Sequence, residues 1–355
     1  MHVIVLYFCT QKEALMENLT PARIMEVGMA FWPSKVLLSA IKLGVFTDLG
    51  NGAKTGSELQ VSLGLHPRGT ADFFDTLVAL RFLERDGTGA DAKYRNTPET
   101  AAFLDRNSPQ FMGGFLEMAN DRLYPYWGDL TEGLKTGLPQ NELKHGGDSI
   151  FAELYKEPTK LEQFMDAMAG ISAGNFQAFA EKFDFSKYKT LTDVGGATGL
   201  LSRLVAKQHP HMICTSTDLP EATEIAKRKI AEAGLSDRVK TEPIDFFKDP
   251  IPKADVVTMG MILHDWNLEK KMHLIRSAYD ALPEGGAFVV VENIIDDARR
   301  ENAFGLMMSL NMLIEFGDAF DFTGTDFDGW CREAGFKRTE VIHLAGPASA
   351  GVAYK

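Results

Sequence analysis

Apolar residues between Thr20 and about Leu104 recur three and four positions apart, the spacing of helices that bury one face. Two helices are predicted at Pro21–Phe31 and Pro33–Leu43, with Gly44 placed as a C-terminal cap. Thr55-Gly-Ser-Glu reads as an N-cap with its capping-box acid, and Pro67–Leu83 as a longer helix. Phe82-Leu-Glu-Arg-Asp-Gly and Lys93-Tyr-Arg-Asn-Thr then alternate around a Gly-rich turn, as two short strands do. Three helices followed by a hairpin make a winged-helix arrangement. Residues 105–180 return to the helical period and are rich in Met and aromatics, among them Met112, Phe115, Met118, Tyr124, Trp127, Phe164, Met165 and Met168. Core packing accounts for most of these, and a minority suit the wall of a pocket for a flat apolar ligand.

From Tyr188 onward strand and helix alternate. Strands are predicted at Thr190–Val194, Ile213–Asp218, Val239–Ile244, Asp255–Met259 and Ala287–Glu292, with helical segments between them. That order gives an α/β fold, a doubly wound parallel sheet behind a mostly helical N-terminal domain. Lys337–Leu344 and Val352–Tyr354 read as a closing pair of strands around Gly346-Pro-Ala-Ser-Ala-Gly. The domain boundaries expected are 16–105, a helical connector at 106–180, and 181–355.

Composition narrows the function. At 355 residues the chain exceeds the size of one ordinary core, and its 45% apolar and 24% charged residues are globular values. A net charge of -12 repels a phosphate backbone, and no local Lys/Arg stripe offsets it, so nucleic acid is not an expected partner. Cys9, Cys214 and Cys331 fall in no metal or redox spacing and read as reduced thiols of a cytoplasmic protein. The apolar stretch from Met1 to Cys9 lacks a basic leader and a cleavage site, so it does not read as a signal peptide, and Met16 is an alternative start. No run reaches the roughly 20 apolar residues of a membrane span, so no membrane partner is expected.

Chemistry gathers at the predicted strand ends. The first ends in Asp193-Val-Gly-Gly-Ala-Thr-Gly199, a Gly-rich turn opening a helix at Leu200. Its backbone can approach a ligand closely, although a tight strand-to-helix connection has the same pattern. A dinucleotide fingerprint anchored at Gly195 would need glycines where Ala197 and Leu200 stand, which disfavours a dehydrogenase. The second strand ends at Asp218, placed for ribose hydroxyls, and the third at Asp245-Phe-Phe, an acid beside rings that suit a purine. Each acid alone would serve as a helix cap; together they describe an adenosine site. The fourth strand ends in His264-Asp265-Trp266, where an imidazole can take a hydroxyl proton. Glu292 ends the fifth, next to the fourth in the usual strand order, and its carboxylate could fix the tautomer of that ring.

In this order the motifs resemble class I S-adenosylmethionine-dependent O-methyltransferases of the caffeate, acetylserotonin and bacterial natural-product group. The resemblance rests on Asp193-Val-Gly-Gly-Ala-Thr-Gly, Asp218-Leu-Pro, Asp245-Phe-Phe, Ile262-Leu-His-Asp-Trp and Ala334-Gly-Phe, and runs from Thr20 to Lys355. It implies a winged-helix domain that forms a homodimer and a Rossmann-like methyltransferase domain that binds S-adenosyl-L-methionine. Carried over, Asp193, Gly195, Gly196 and Gly199 surround the methionine part of that molecule, Asp218 and Leu219 its ribose, and Asp245 with Phe246 its adenine; Ser172 is another contact. His264 matches the general base and Glu292 its first carboxylate partner. Asp321 stands where many relatives carry a Glu of a Glu-Arg-Thr triplet, one methylene shorter and without the Arg, and is expected to matter less than Glu292. Gly260 replaces a Lys found in some plant members. Met168, Met308, Met312 and Phe316 are expected to line a pocket for a small aromatic acceptor. No metal is expected. Methylation of nitrogen or carbon, a silent cofactor-binding homologue and a winged-helix regulator remain as other readings.

Overall fold

A computed structural model describes residues 19–147 and 154–355. The expectations attached to Cys9, Met16 and the first apolar stretch lie outside the described residues. The chain divides into two compact units, Met1–Asn120 and Asp121–Lys355.

In the first unit, helices occupy Ala22–Gly28, Phe31–Leu43, Gly56–Ser62 and Pro67–Ala79. Gly44 ends the second at φ 76, a left-handed conformation that glycine adopts without strain. Thr55 caps the third through a complete capping box, its hydroxyl accepting from the Glu58 N–H at 3.2 Å while its own N–H donates to the Glu58 carboxylate at 2.7 Å. The Pro67 helix stops earlier than its period suggests, because Arg81 turns at φ 64 and strand β2 begins at Leu83. The expected hairpin is present as β2 (Leu83–Asp86) and β3 (Lys93–Asn96), and β1 (Lys54–Thr55) pairs with β3 to complete a three-stranded antiparallel sheet. Phe46, Leu59, Phe74, Leu77 and Tyr94 form the core. One expectation needs correction. Read together, Ala22–Leu43 is long and apolar enough to cross a membrane by length and composition, and only 17% of its most apolar window is buried. Ile24, Val27, Phe31 and Trp32 all face outward.

The second unit is built on a seven-stranded sheet ordered β6-β5-β4-β7-β8-β10-β9, with β4 Thr190–Val194, β5 Ile213–Asp218, β6 Val239–Pro243, β7 Val256–Gly260, β8 Ala287–Glu292, β9 Arg338–Ala345 and β10 Ala348–Tyr354. The first five strands are parallel, as expected. The last two are antiparallel, because β9 and β10 are joined by Gly346-Pro347, far too short for the crossover that a parallel pair requires. Every residue of β8 is buried, which is why it reads as a continuous apolar run and not an alternating one. Parallel strands end at one edge, so the Gly-rich turn, Asp218, the His264 turn and Glu292 are delivered there together.

Helices flank the sheet, among them Pro158–Lys182, Leu200–Gln208, Pro220–Glu232, Leu268–Ala281, Ala303–Phe316 and Gly324–Ala334. Residues 121–147 are fastened to the Ala303–Phe316 helix by Arg122, whose guanidinium spans Glu142 at 2.8 Å and the buried Glu315 at 2.5 Å. Asn141 adds a bond to the Glu315 carbonyl.

Candidate active site

The turn after β4 is a cradle shaped by absent side chains. Gly195 and Gly199 lie at φ 68 and 69, and Ala197 takes φ 47, a conformation unusual for a residue with a side chain. A Cβ on Gly195 would collide with Ile262 of the His264 turn and stand 3.8 Å from the Phe246 ring, so the ends of β4, β6 and β7 converge here. A Cβ on Gly196 would run into Ser216 on β5. Asp218 holds the cradle from below: one carboxylate oxygen accepts from the Ala197 N–H at 2.9 Å, the other from the Leu219 N–H at 2.8 Å and the Tyr155 hydroxyl at 3.3 Å. The Thr198 hydroxyl is buried there without a hydrogen-bond partner among the described residues, a condition that a polar ligand would relieve.

Other expected residues are placed differently. Asp193 is buried beneath the turn, accepting from the Thr258 hydroxyl at 2.9 Å and from Ser202 at 3.3 Å, and burial pushes its carboxyl up to about 7. It shapes the turn from inside the fold. Asp245 accepts from the Phe247 N–H at 3.0 Å and pairs with Lys248 at 2.7 Å, an interaction that holds its carboxyl below the usual range. Its neighbour Phe246 faces inward, with Phe247 and Trp266 at ring-centroid distances of 4.9 and 6.2 Å. Ser172 is buried midway along the Pro158–Lys182 helix, one turn before Phe176, whose ring lies 2.7 Å from where a Cβ on Gly260 would stand.

The acid–base cluster lies in the short turn Leu263–Asp265 that follows β7. His264 is buried, with Nε2 3.3 Å from Asp265 and Nδ1 3.6 Å from Asp321, the latter too long for a hydrogen bond. Asp265 is the more exposed of the two flanking acids, so Nε2 is the ring nitrogen on the open side. The two partner acids meet the turn in different ways. Asp321 stands opposite Nδ1, whereas one Glu292 oxygen accepts the Ile262 and Leu263 N–H groups at 3.1 and 2.9 Å and so braces the turn. Among the described residues the other Glu292 oxygen and both Asp321 oxygens are buried without hydrogen-bond partners. Burial alone would lower the imidazole's proton affinity, but the Asp265 and Glu292 charges and the contact with Asp321 outweigh it and raise the pKa to about 10. Burial raises Glu292 to about 7 and Asp265 to about 6.

No His/Asp/Glu spacing in the sequence suggests a metal, yet folding brings donor atoms of His264, Glu292 and Asp321 within 4.8 Å of one another, close enough to share a cation. The charge these acids require is available from the chain itself, as the imidazolium of His264.

Comparison with known proteins places this geometry. The profile of the O-methyltransferase domain matches residues 127–337, and that of the O-methyltransferase dimerisation domain matches residues 25–106. The chain belongs to this O-methyltransferase family. It is 36% identical to the tetracenomycin polyketide synthesis 8-O-methyl transferase TcmO of Streptomyces glaucescens, over 94% of this chain and 97% of that protein. It is 32% identical to the N,N-dimethyltransferase OxyT of Streptomyces rimosus, over 88% and 90%. Among solved structures, human N-acetylserotonin methyltransferase in complex with S-adenosylmethionine superposes with a TM-score of 0.87 at 27% identity, covering 95% of this chain and 99% of that one. This O-methyltransferase is thus an enzyme dependent on S-adenosylmethionine, and the Gly195–Gly199 cradle with its unpartnered Thr198 hydroxyl fits such a ligand.

The acceptor residues expected from the sequence fall partly on one face. Met308, Met312 and Phe316 lie four residues apart along one helix, with Met312 buried and the other two half-buried; Met168 is half-buried on the Pro158–Lys182 helix. Between Met308 and Met312, Asn311 accepts from the Trp127 indole N–H at 2.9 Å. Sequence reasoning missed Tyr155, Asp265 and Lys271. Tyr155 offered no local signal, since only the fold carries it to Asp218. Asp265 was visible inside the His-Asp-Trp triplet. Lys271 was legible as a cation at an apolar phase of its helix, beside Met272, Leu274 and Ile275.

Proposed function

We propose that this chain transfers a methyl group from S-adenosylmethionine to the hydroxyl of a small aromatic molecule, with His264 Nε2 as the general base. The observation that supports this most directly is a buried imidazole flanked by Asp265 and Asp321 at the strand edge that also holds the Gly195–Gly199 cradle. In this reading the cradle and Thr198 hold the methionine part, Asp218 and Tyr155 the ribose hydroxyls, and Phe246 one face of the adenine. When bound, S-adenosylmethionine supplies an electrophilic methyl on a sulfonium centre, so the protein has to align an oxygen with it and remove one proton.

His264 performs that removal only as the neutral ring, and its surroundings hold the proton to about pH 10. A sulfonium held in the same poorly solvated site would oppose this, because like charges repel, and would bring the imidazole toward neutrality. With that group bound, Nε2 would take the hydroxyl proton as the methyl passes from sulfur to the oxygen, and Asp321 would steady the imidazolium at Nδ1. Met308, Met312 and Phe316 present polarizable apolar surface suited to a flat ring. Acetylserotonin, the acceptor that names the solved relative, is such a ring with a hydroxyl.

Incubation with labelled S-adenosylmethionine and a panel of phenols, catechols, indoles and hydroxy-quinones should give a product heavier by one methyl, located on oxygen by mass fragmentation. The same panel should include aromatic amines, because OxyT is named as an N,N-dimethyltransferase. Methylation of amines alone would replace the present reading with N-methylation. We also propose that the Met1–Asn120 unit, in which the hairpin forms a wing, mediates homodimerisation.

A further inference from the structure

Lys271 is fully buried, on the Leu268–Ala281 helix that follows the His264 turn. Its helix face is otherwise the apolar one that packs into the core, so a charged side chain there has no packing explanation. Among the described residues no carboxylate pairs with its ammonium. Nζ donates instead to two main-chain carbonyls, that of Trp266 and, at 2.8 Å, that of Phe320, and it lies 3.9 Å from the centroid of the Phe320 ring. Trp266 is two residues after His264, and Phe320 immediately precedes Asp321. One cation therefore ties together the two segments that place the base and the acid opposite its Nδ1.

The charged groups acting on it are all part of, or next to, the same cluster: Asp265 from the turn, Glu292 from the end of β8, Asp318 and Asp321 from the segment before the Gly324–Ala334 helix. A buried cation is costly unless its charge is answered. Here it is answered by acids whose charge the His264 imidazolium shares, since among the described residues both Asp321 oxygens and one Glu292 oxygen have no hydrogen-bond partner. Burial lowers Lys271 to about 8 against the pull of Glu292, Asp321, Asp265 and Asp318.

We infer that Lys271 is a positioning residue of the methyl-transfer site: it fastens the His264 turn to the Asp321 segment and keeps the surrounding carboxylates ionised. The inference rests on the reading of His264 as base. It has two separable parts, a brace that needs only N–H donors and a charge that needs the ammonium. The ammonium carries its charge only up to about pH 8, so its electrostatic effect on the carboxylates belongs to the pH range below that.

The test compares Lys271→Met, which removes donors and charge, with Lys271→Gln, which keeps donors and removes charge, each alone and combined with Asp321→Asn. Both single variants should bind S-adenosylhomocysteine like the parent in calorimetry. Both should lose about tenfold in turnover below about pH 8, where the parent's ammonium is charged, and less above it. Above about pH 8, where the parent's ammonium has itself lost its charge, Lys271→Gln should recover more turnover than Lys271→Met, because only the former keeps the brace. Combined with Asp321→Asn, the losses should be smaller than the product of the single losses, as for two groups acting through one element. A loss that does not change across about pH 8, together with multiplicative losses, overturns the inference, as does failure of both variants to bind S-adenosylhomocysteine, which would make Lys271 a folding residue only. His264→Ala, assayed in parallel, separates the two readings: if it keeps its turnover, the base assignment has failed; if it loses turnover while the Lys271 variants are silent, only the Lys271 inference has.

Discussion

His264 holds its proton because three carboxylates crowd a ring that burial would otherwise keep neutral. The direction of a pH effect follows. Only neutral imidazole accepts a proton, so turnover should rise with pH along a limb displaced above the ordinary histidine value of about 6.5. Replacing Asp265 with Asn removes the largest of the attractions that raise it, and should move that limb to lower pH in a turnover–pH profile. His264→Ala should reduce turnover by about 10²–10⁴-fold, the contribution of a positioned base, while calorimetric affinity for S-adenosylmethionine stays close to the parent's. The two readouts must separate, because the ring is assigned to the reaction and not to ligand binding. Asp218 gives the opposite signature. In the protein it accepts two backbone N–H bonds and the Tyr155 hydroxyl, and as proposed it also meets the ribose. Asp218→Ala should weaken S-adenosylmethionine by about 1.5–3 kcal/mol in the same calorimeter, as loss of a charge-assisted hydrogen bond does. An unchanged affinity would remove Asp218 from the site.

At the scale of elements, the acceptor side depends on how residues 121–147 are fastened to the Ala303–Phe316 helix. Arg122 carries that junction, with its side chain 13% exposed and that of Glu315 only 5%. Truncating one partner of a buried pair leaves the other charge uncompensated, which typically costs about 3–5 kcal/mol. Arg122→Met should therefore lower the denaturation midpoint markedly. Because Glu315 follows Met312 by three residues and precedes Phe316 directly, the same variant should raise KM for the acceptor more than it affects S-adenosylmethionine binding. Replacing Arg122 and Glu315 together by apolar residues should recover part of the stability, since the cost lies in the stranded charge. Equal losses of stability in the single and double variants would contradict this account.

For the whole molecule, Ile24, Val27, Phe31 and Trp32 on the first two helices are exposed apolar side chains, the last three of them within the region matched by the dimerisation-domain profile and Ile24 immediately before it. Apolar faces of this kind mark interaction surfaces in proteins that remain in solution, and self-association of an identical patch is the common solution. Light scattering at micromolar concentration should give twice the mass of one chain. Trp32→Lys, which places a charge in the centre of the face, should return the chain to a monomer. A parent protein that scatters as a monomer would leave the face without its proposed partner.

The sequence by itself determined what depends on local periodicity and local chemistry. The change of period near Tyr188 announced the sheet, Thr55-Gly-Ser-Glu and Gly44 announced their caps, and the strand-end motifs from Asp193 to Glu292 announced a shared edge, because parallel strands necessarily end together. It placed His264 correctly at that edge. Tertiary structure alone decided which groups touch. Asp321 stands opposite Nδ1 and Glu292 accepts backbone N–H groups of the His264 turn because hydrogen-bond reach depends on where a backbone passes, not on side-chain length. Asp193 proved to be a buried brace, Asp245 a partner of Lys248, and Tyr155 a neighbour of Asp218 from 63 residues away. The antiparallel end of the sheet was set by a two-residue connection, and the buried ammonium of Lys271 by two carbonyls from segments 54 residues apart (320 minus 266). Such pairings are long-range electrostatic and packing facts. No window of residues contains them, since each partner looks ordinary until the chain closes around it.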